Sequence, residues 1–170
     1  MPSIVFAHGL EGSPNGRKIQ MLRSAGFSVE APDGRGKPLQ ARIADLEELT
    51  KGRRVLLVGS SYGGLAAAYL AHHFPERFVG LLLLAPALHR SEPPVHDSTL
   101  LHPPAQVPTL VIHGVRDAIV PIDASRRYAL NGGIRLIERD DDHRLQLSME
   151  VMIEAVQKLI QISDTTLDDI

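Results

Sequence analysis

The chain has 170 residues, of which 44% are apolar and 22% are charged, and its formal net charge is −2 at pH 7. This length and composition predict one globular domain with its own core, and the nearly balanced charge gives no indication of a nucleic-acid or membrane-surface partner. The sequence contains no cysteine, which excludes disulfides, thiol catalysis and cysteine-based metal sites.

The start of the sequence does not resemble a secretory signal. Residues 1–15 lack a charged region followed by an apolar one, and no apolar run approaches the roughly 18 residues of a membrane span. We therefore expect a cytoplasmic protein with a single domain over residues 1–170, in which the tail at 163–170 frays.

Short apolar runs alternate with helical patterns along the chain. The predicted strands are residues 3–7, 27–31, 55–58, 79–85, 109–113 and 134–138. The predicted helices are about residues 17–25, 39–52, 62–74, 122–130 and 145–162. The strands show no polar alternation, which is typical of strands buried on both faces. The alternation predicts a six-stranded parallel sheet covered by helices, with ligands bound beyond the carboxyl ends of its strands.

Residues 86–108 interrupt this alternation. The segment has six prolines and three histidines and few periodic apolar positions. We predict an irregular connection, and loops of this length are usually functional or mobile. We expect its histidines, His89, His96 and His102, to be surface residues, with contact between one of them and a substrate as the alternative.

A G-x-S-x-G pattern lies between the third predicted strand and its helix, with Gly59 and Gly63 on either side of Ser61. So tight a turn makes the residues two before and two after the serine crowd each other, and only glycine fits there. The turn lifts the Ser61 hydroxyl clear of the sheet, near the positive end of the helix. The pattern predicts a nucleophile at Ser61, and a glycine-rich turn without chemistry is the alternative.

A serine hydroxyl needs a base within hydrogen-bond reach, and the base needs an acidic partner. We predict His143, which follows the sixth strand, as the base. We predict Asp117, which follows the fifth strand, as the acid. Asp123 is the alternative acid, although its place early in a helix suits interaction with the helix dipole.

Other histidines and acidic residues near the strand ends are predicted to be structural. His8 and His113 each precede a glycine, and we expect their side chains to hold loops by hydrogen bonds. The aspartates at 140–142 are too close to His143 in sequence to orient it easily, so we predict a solvated turn there.

Acyl transfer also requires N–H donors for the oxyanion that develops on the carbonyl. We predict the backbone N–H of Tyr62, the residue after the nucleophile, and that of Leu10, in the loop after the first strand. An ordinary glycine-containing loop at Leu10 is the alternative.

Together these motifs resemble the α/β-hydrolase superfamily over about residues 3–162. The matching segments are His8-Gly9, Gly59-Ser60-Ser61-Tyr62-Gly63, His113-Gly114-Val115-Arg116-Asp117 and Asp142-His143. The resemblance implies a strand order of 2-1-3-4-5-6. It implies nucleophile Ser61, acid Asp117, base His143 and oxyanion donors Leu10 and Tyr62.

The chain departs from the usual pattern of that superfamily in two ways. The two N-terminal strands of the full fold are absent, and the segment at 86–108 is too short for a cap domain. The chain is therefore similar to the small, lidless serine esterases of the superfamily. This resemblance implies hydrolysis of small carboxylic esters or thioesters through an acyl-enzyme, with a small-molecule substrate and without a cofactor or metal.

Three other functions are compatible with parts of the sequence. The same triad could serve a lyase or a cofactor-free perhydrolase, and the fold could be kept by a non-catalytic binding protein. A Rossmann-type nucleotide binder would fit the alternation of strands and helices. It lacks support, because no G-x-G-x-x-G follows a strand and Gly9, Gly12 and Gly16 have the wrong spacing.

Overall fold

The structure, a computed structural model, describes residues 1–168 and is built around one six-stranded sheet. The strands are β1 (Ile4–Ala7), β2 (Val29–Glu30), β3 (Val55–Ser60), β4 (Phe78–Leu84), β5 (Thr109–Gly114) and β6 (Arg135–Arg139). The helices are α1 (Arg17–Ser24), α2 (Leu39–Thr50), α3 (Tyr62–His73), α4 (Ile122–Gly132) and α5 (Met149–Asp168). All neighbouring strands are parallel in the order β2-β1-β3-β4-β5-β6, so the predicted fold class is confirmed.

The sheet is the middle one of three layers. Helices α2, α3 and α4 pack on one face, where they cover alternate strand residues such as Leu57 and Leu81. Helices α1 and α5 pack on the other face, over Leu56 and Leu82. All four leucines are fully buried, and burying such a side chain stabilises the fold by about 1.5–3 kcal/mol. Coverage of both faces explains why the strands are apolar throughout.

Strand β2 is shorter than the predicted strand at 27–31. The Phe27 N–H donates to the Leu22 carbonyl at 3.1 Å, where it helps to end α1 and does not pair with β1. At the other end, Pro32 has no N–H to donate. Only Val29 and Glu30 therefore pair with β1.

Helix α5 begins later and ends later than the sequence indicates. Leu145 has φ 55° and cannot start a helix, so a 3-10 turn at Gln146–Ser148 intervenes before Met149. The helix then continues to Asp168, so the tail predicted to fray is helical over 163–168, while 169–170 lie outside the described residues. No helix in the described part of the chain is both long and apolar enough to cross a membrane.

The connection between β4 and β5 is irregular, as predicted, but it is held in place. It contains one short 3-10 turn, at Ser98–Leu100. The carbonyl of Leu88 accepts hydrogen bonds from the Ser98 hydroxyl at 2.8 Å and from the Arg127 guanidinium of α4 at 2.9 Å. These bonds fix the segment beside the carboxyl ends of the strands.

Candidate active site

Ser61 lies at the sharp turn between β3 and α3. Its backbone has φ 54° and ψ −115°, a conformation that residues with a side chain rarely adopt. The Ser61 N–H donates to the Leu84 carbonyl at 2.9 Å, and the Ser61 carbonyl accepts from the Ala87 N–H at 2.8 Å. The end of β4 and the residues after it therefore hold the strained turn in place.

The two glycines of the pattern allow this turn because a Cβ atom fits at neither position. A Cβ on Gly59 would lie 2.7 Å from the Gly63 carbonyl oxygen and 2.6 Å from the Cβ of Ala67. A Cβ on Gly63 would overlap the carbonyl of Ala7 at the end of β1. The predicted crowding across the serine is confirmed, and Gly63 also brings α3 directly against the first strand.

The structure brings Ser61, His143 and Asp117 together, although 82 residues separate the serine from the histidine. The His143 Nε2 atom lies 3.0 Å from the Ser61 hydroxyl oxygen. The His143 Nδ1 atom lies 2.7 Å from an Asp117 carboxylate oxygen. The side chain of Asp117 is fully buried, while that of His143 is 18% exposed, so the imidazole lies between the protein interior and the solvent.

The Asp117 carboxylate is held by the backbone as well as by His143. Its Oδ1 atom accepts hydrogen bonds from the N–H groups of Ile119 at 2.9 Å and Val120 at 2.8 Å. Burial alone would raise the pKa of the Asp117 carboxyl, but the hydrogen bonds to the carboxylate outweigh burial and hold the pKa below its usual value. The group opposite His143 is therefore an anion at neutral pH.

His113 is a second histidine beside Asp117, and this contact was not predicted from the sequence. Its Nε2 atom lies 3.1 Å from the Asp117 Oδ2 atom and 3.1 Å from the Val120 carbonyl, while its Nδ1 atom lies 2.7 Å from the Ser125 hydroxyl. Burial lowers the pKa of His113, which favours the neutral ring. A neutral ring with its proton on Nε2 can donate to both the Asp117 carboxylate and the Val120 carbonyl. His113 therefore holds the loop, as expected, and also contacts Asp117.

The alternative acid does not approach His143. The side chain of Asp123 is 84% exposed and pairs with Arg126 of its own helix at 3.0 Å. This position in the first turn of α4 fits the other role predicted for Asp123, which is interaction with the helix dipole.

The prediction of a solvated turn at 140–142 is wrong for Asp141, which is only 2% exposed. Its carboxylate accepts hydrogen bonds from the Asp142 N–H at 2.8 Å, the Leu147 N–H at 2.9 Å and the Ser148 hydroxyl at 2.8 Å. Asp141 thus ties together the two ends of the loop that carries His143. Its neighbours on either side are both aspartates, so the sequence has no signal that distinguishes the buried one.

The loop after β1 lies against Ser61, as expected for the segment that carries Leu10. A Cβ on Gly9 would lie 3.4 Å from the Cβ of Ser61. The backbone N–H groups of Leu10 and Tyr62 donate no hydrogen bond to another group within residues 1–168, so both remain available to a ligand.

Arg42 of α2 holds this loop, a role that was not predicted from the sequence. The side chain is buried, and its guanidinium donates to the His8 carbonyl at 2.6 Å and lies 4.9 Å from the ring centroid of Tyr62. Arg42 therefore links the two segments that carry the candidate oxyanion donors. A signal was present in the sequence, because Arg42 lies on the apolar stripe of α2 between Leu39 and Leu46.

His8 holds the same loop, which confirms its predicted role. Its Nδ1 atom lies 2.8 Å from the Gly9 carbonyl, and its Nε2 atom accepts the Gly34 N–H at 2.9 Å. Of the connecting-segment histidines, His102 packs edge-on against His72 at the far end of α3 from Ser61, with ring centroids 4.8 Å apart. This leaves His102 away from the site.

A cavity of about 260 Å³ opens beside the turn, between the loop after β1 and the residues that lead into α5. Its lining includes Ser60, which precedes Ser61 in the chain, and Gly9, which lies against Ser61. Within the described chain, histidine, aspartate and glutamate side chains form no group of three or more that could hold a metal ion.

Comparison with known proteins supports the same fold. Residues 37–108 match the family model described as the alpha/beta hydrolase fold. A pyrethroid hydrolase from Sphingobium wenxiniae is 28% identical over 139 residues, which cover 72% of this chain and 48% of that protein. The chain thus spans about half of the length of that curated relative.

Two solved structures show how closely the fold is shared. A protein of the alpha/beta hydrolase superfamily from Xanthomonas campestris pv. campestris is 26% identical, with a TM-score of 0.78 over 95% of this chain and 99% of that one. The mouse alpha/beta hydrolase domain-containing protein 10 is 21% identical, with a TM-score of 0.80 over 95% and 90% of the two chains. The chain therefore has the fold of the α/β-hydrolase superfamily, as its motifs implied.

Proposed function

We propose that this protein is a serine hydrolase that cleaves small carboxylic esters or thioesters through an acyl-enzyme intermediate. The observation that carries the proposal is the continuous set of contacts from the Ser61 hydroxyl through the His143 ring to the Asp117 carboxylate, at 3.0 Å and 2.7 Å. The hydrolase relative from Sphingobium wenxiniae supports the reaction class.

The contacts support one position for each proton in the proposed mechanism. With Asp117 ionised, the His143 Nδ1–H donates to the carboxylate, and Nε2 is left free to accept the Ser61 proton. As Ser61 Oγ bonds to the substrate carbonyl carbon, its proton moves to Nε2. The buried carboxylate stabilises the imidazolium that forms.

The remaining steps return the enzyme to its starting state. The carbonyl oxygen takes up negative charge, which the N–H groups of Leu10 and Tyr62 stabilise. The imidazolium then donates its proton to the leaving alcohol or thiol, and the acyl group stays on Ser61. A water molecule, deprotonated by His143, releases the acid and restores the serine hydroxyl.

The test is active-site labelling together with ester turnover. We expect a fluorophosphonate probe to label the protein, and Ser61→Ala to abolish the labelling and to lower kcat for 4-nitrophenyl acetate by at least about 10³-fold. The matched control is Ser60→Ala, which should still be labelled, with the probe mapped to Ser61 by peptide mass spectrometry.

Equal turnover by Ser61→Ala would contradict the proposal. A wild-type protein that is folded, unlabelled and inactive on every ester would instead identify a binding protein that has kept the fold. Conversion of a carboxylic acid and hydrogen peroxide to the peracid and water, with no ester cleavage, would indicate the perhydrolase alternative.

A further inference from the structure

The cavity beside Ser61 has an unusual charge for a protein with a net charge of −2. Three cationic side chains line it, namely Arg17, Lys18 and Arg144, against one carboxylate, that of Glu11. His8 also lines the cavity, but burial lowers the pKa of its ring, so it adds no charge at neutral pH. Among the residues that line the cavity, three cations therefore stand against one anion.

None of these three cations forms an ion pair within the described chain. No carboxylate oxygen in residues 1–168 lies within 4.0 Å of their side-chain nitrogens, whereas Arg53 pairs with Glu30 and Arg116 with Asp140.

Lys18 is the most constrained of the three. It is half-buried, and its ammonium donates one hydrogen bond, to the Arg144 carbonyl at 2.9 Å, which leaves two N–H groups without a protein acceptor within residues 1–168. The negative groups that face it are Asp141 and Asp142, but neither lines the cavity, and both carboxylates accept backbone hydrogen bonds within the loop before α5. Burial of an unpaired cation is costly, so an anion in the cavity would stabilise it.

The cavity is placed to hold part of a substrate. Gly9 and Ser60 connect it to the nucleophile, and its volume of about 260 Å³ is that of roughly nine water molecules in the liquid. A chain of a few carbon atoms that ends in an anion would fit between Ser61 and the three cations.

We propose that the substrate carries a carboxylate or phosphate on the part that lies in this cavity, where Lys18, Arg17 and Arg144 bind it. This inference rests on the proposed ester hydrolysis and names the class of substrate. The carboxylate of Glu11, which also lines the cavity, opposes an anion there, so the preference depends on the three cations that outnumber it.

The first experiment compares esters that differ only in charge. For the acyl side, the pair is 4-nitrophenyl hexanoate and the 4-nitrophenyl half ester of adipate, with 4-nitrophenyl 5-phosphonopentanoate as the phosphate arm. For the alcohol side, the pair is 4-propylphenyl acetate and 3-(4-acetoxyphenyl)propanoate. We expect kcat/KM for the charged member of one pair to exceed that of its neutral partner by about tenfold or more at low salt, and the excess to shrink in 0.5 M NaCl.

The second experiment removes the charges one at a time. Lys18→Gln should lower the charged-to-neutral ratio of kcat/KM about tenfold, and the more exposed Arg17→Gln and Arg144→Gln about threefold each. Lys18→Arg keeps the cation and should keep the preference. The matched control is Lys51→Gln, an exposed lysine outside the cavity, which should leave the ratio at the wild-type value.

The outcomes separate this inference from the proposed function. If neutral esters are cleaved and no charged ester is preferred, or if Lys18→Gln and Lys51→Gln behave alike, the inference fails while the hydrolase stands. If no ester is cleaved, the hydrolase proposal fails. Calorimetric titration of the protein with monoethyl adipate then tests whether the cavity binds an anion. Binding that is lost in Lys18→Gln would support an anion site, and absence of binding would overturn it.

Discussion

The backbone of Ser61 is strained, and the side-chain hydroxyl explains why a serine occupies this position. At φ 54° and ψ −115°, any residue with a Cβ is destabilised, while glycine adopts such positive φ values readily. The turn nevertheless keeps a serine, which is consistent with a hydroxyl that must stand clear of the sheet. We therefore expect the residue that the proposed chemistry needs at position 61 to be less favourable for stability than glycine.

Two substitutions at position 61 test this expectation. We expect Ser61→Gly to be more stable than Ser61→Ala by about 1 kcal/mol in urea unfolding, because alanine keeps the Cβ that strains the turn. Both variants should lack ester turnover. Equal stability of the two variants would mean that the turn stores no strain.

At the scale of single residues, the sequence could predict the residues that lie in a fixed motif or directly after a strand. The glycines around Ser61 follow from steric crowding, and the order of Ser61, Asp117 and His143 follows from the strand ends that they occupy. Arg42 and His113 were not identified as contacts of the site. Their partners are a carbonyl on another loop and a carboxylate, and only the packed chain brings these groups together.

At the scale of elements, the loop between β6 and α5 determines where the imidazole lies. Asp141 closes this loop through three hydrogen bonds, and the Arg116 N–H donates to the Asp141 carbonyl at 3.0 Å from the loop after β5. The loop that bears Asp117 and the loop that bears His143 are therefore joined beside the site. A Cβ on Gly114 would overlap the Asp141 carbonyl, which explains the glycine at that strand end.

We expect Asp141→Ala to destabilise the protein by about 2–4 kcal/mol in urea unfolding and to lower ester turnover, because it leaves buried donors without an acceptor. The matched control is Asp140→Ala. Asp140 is 90% exposed and pairs only with Arg116, so its loss should cost about 1 kcal/mol or less. Equal effects of the two substitutions would remove Asp141 from its assigned role.

The boundaries of these elements could be predicted only in part from the sequence. The apolar runs gave all six strands, because burial on both faces leaves a clear pattern. They could not show that β2 would keep only two paired residues, since that depends on where the Phe27 N–H is used. The same holds at α5, where the left-handed backbone of Leu145 delays a helix whose apolar stripe already begins there.

At the scale of the whole molecule, α5 covers the centre of the sheet. Leu159 is fully buried and packs over Gly80 of β4, where a Cβ would lie 3.3 Å from the Leu159 Cβ. We expect Leu159→Ala to lower the free energy of unfolding by about 2–5 kcal/mol.

The control for this prediction lies one turn further along the helix. Ile162 is 38% exposed, so Ile162→Ala should cost less than half as much in the same urea measurement. Similar losses for the two variants would show that α5 is not anchored through the face that the structure assigns to it.

The three groups of the candidate site come from the ends of β3, β5 and β6, and the histidine comes last in the chain. During synthesis, a ribosome-bound chain that has emerged as far as residue 140 would already display the serine and the aspartate, yet it would have no imidazole. Under the proposed function, ester cleavage would then begin only once the loop after β6 has been made. A polypeptide that stops before His143 would carry the hydroxyl without the group that activates it.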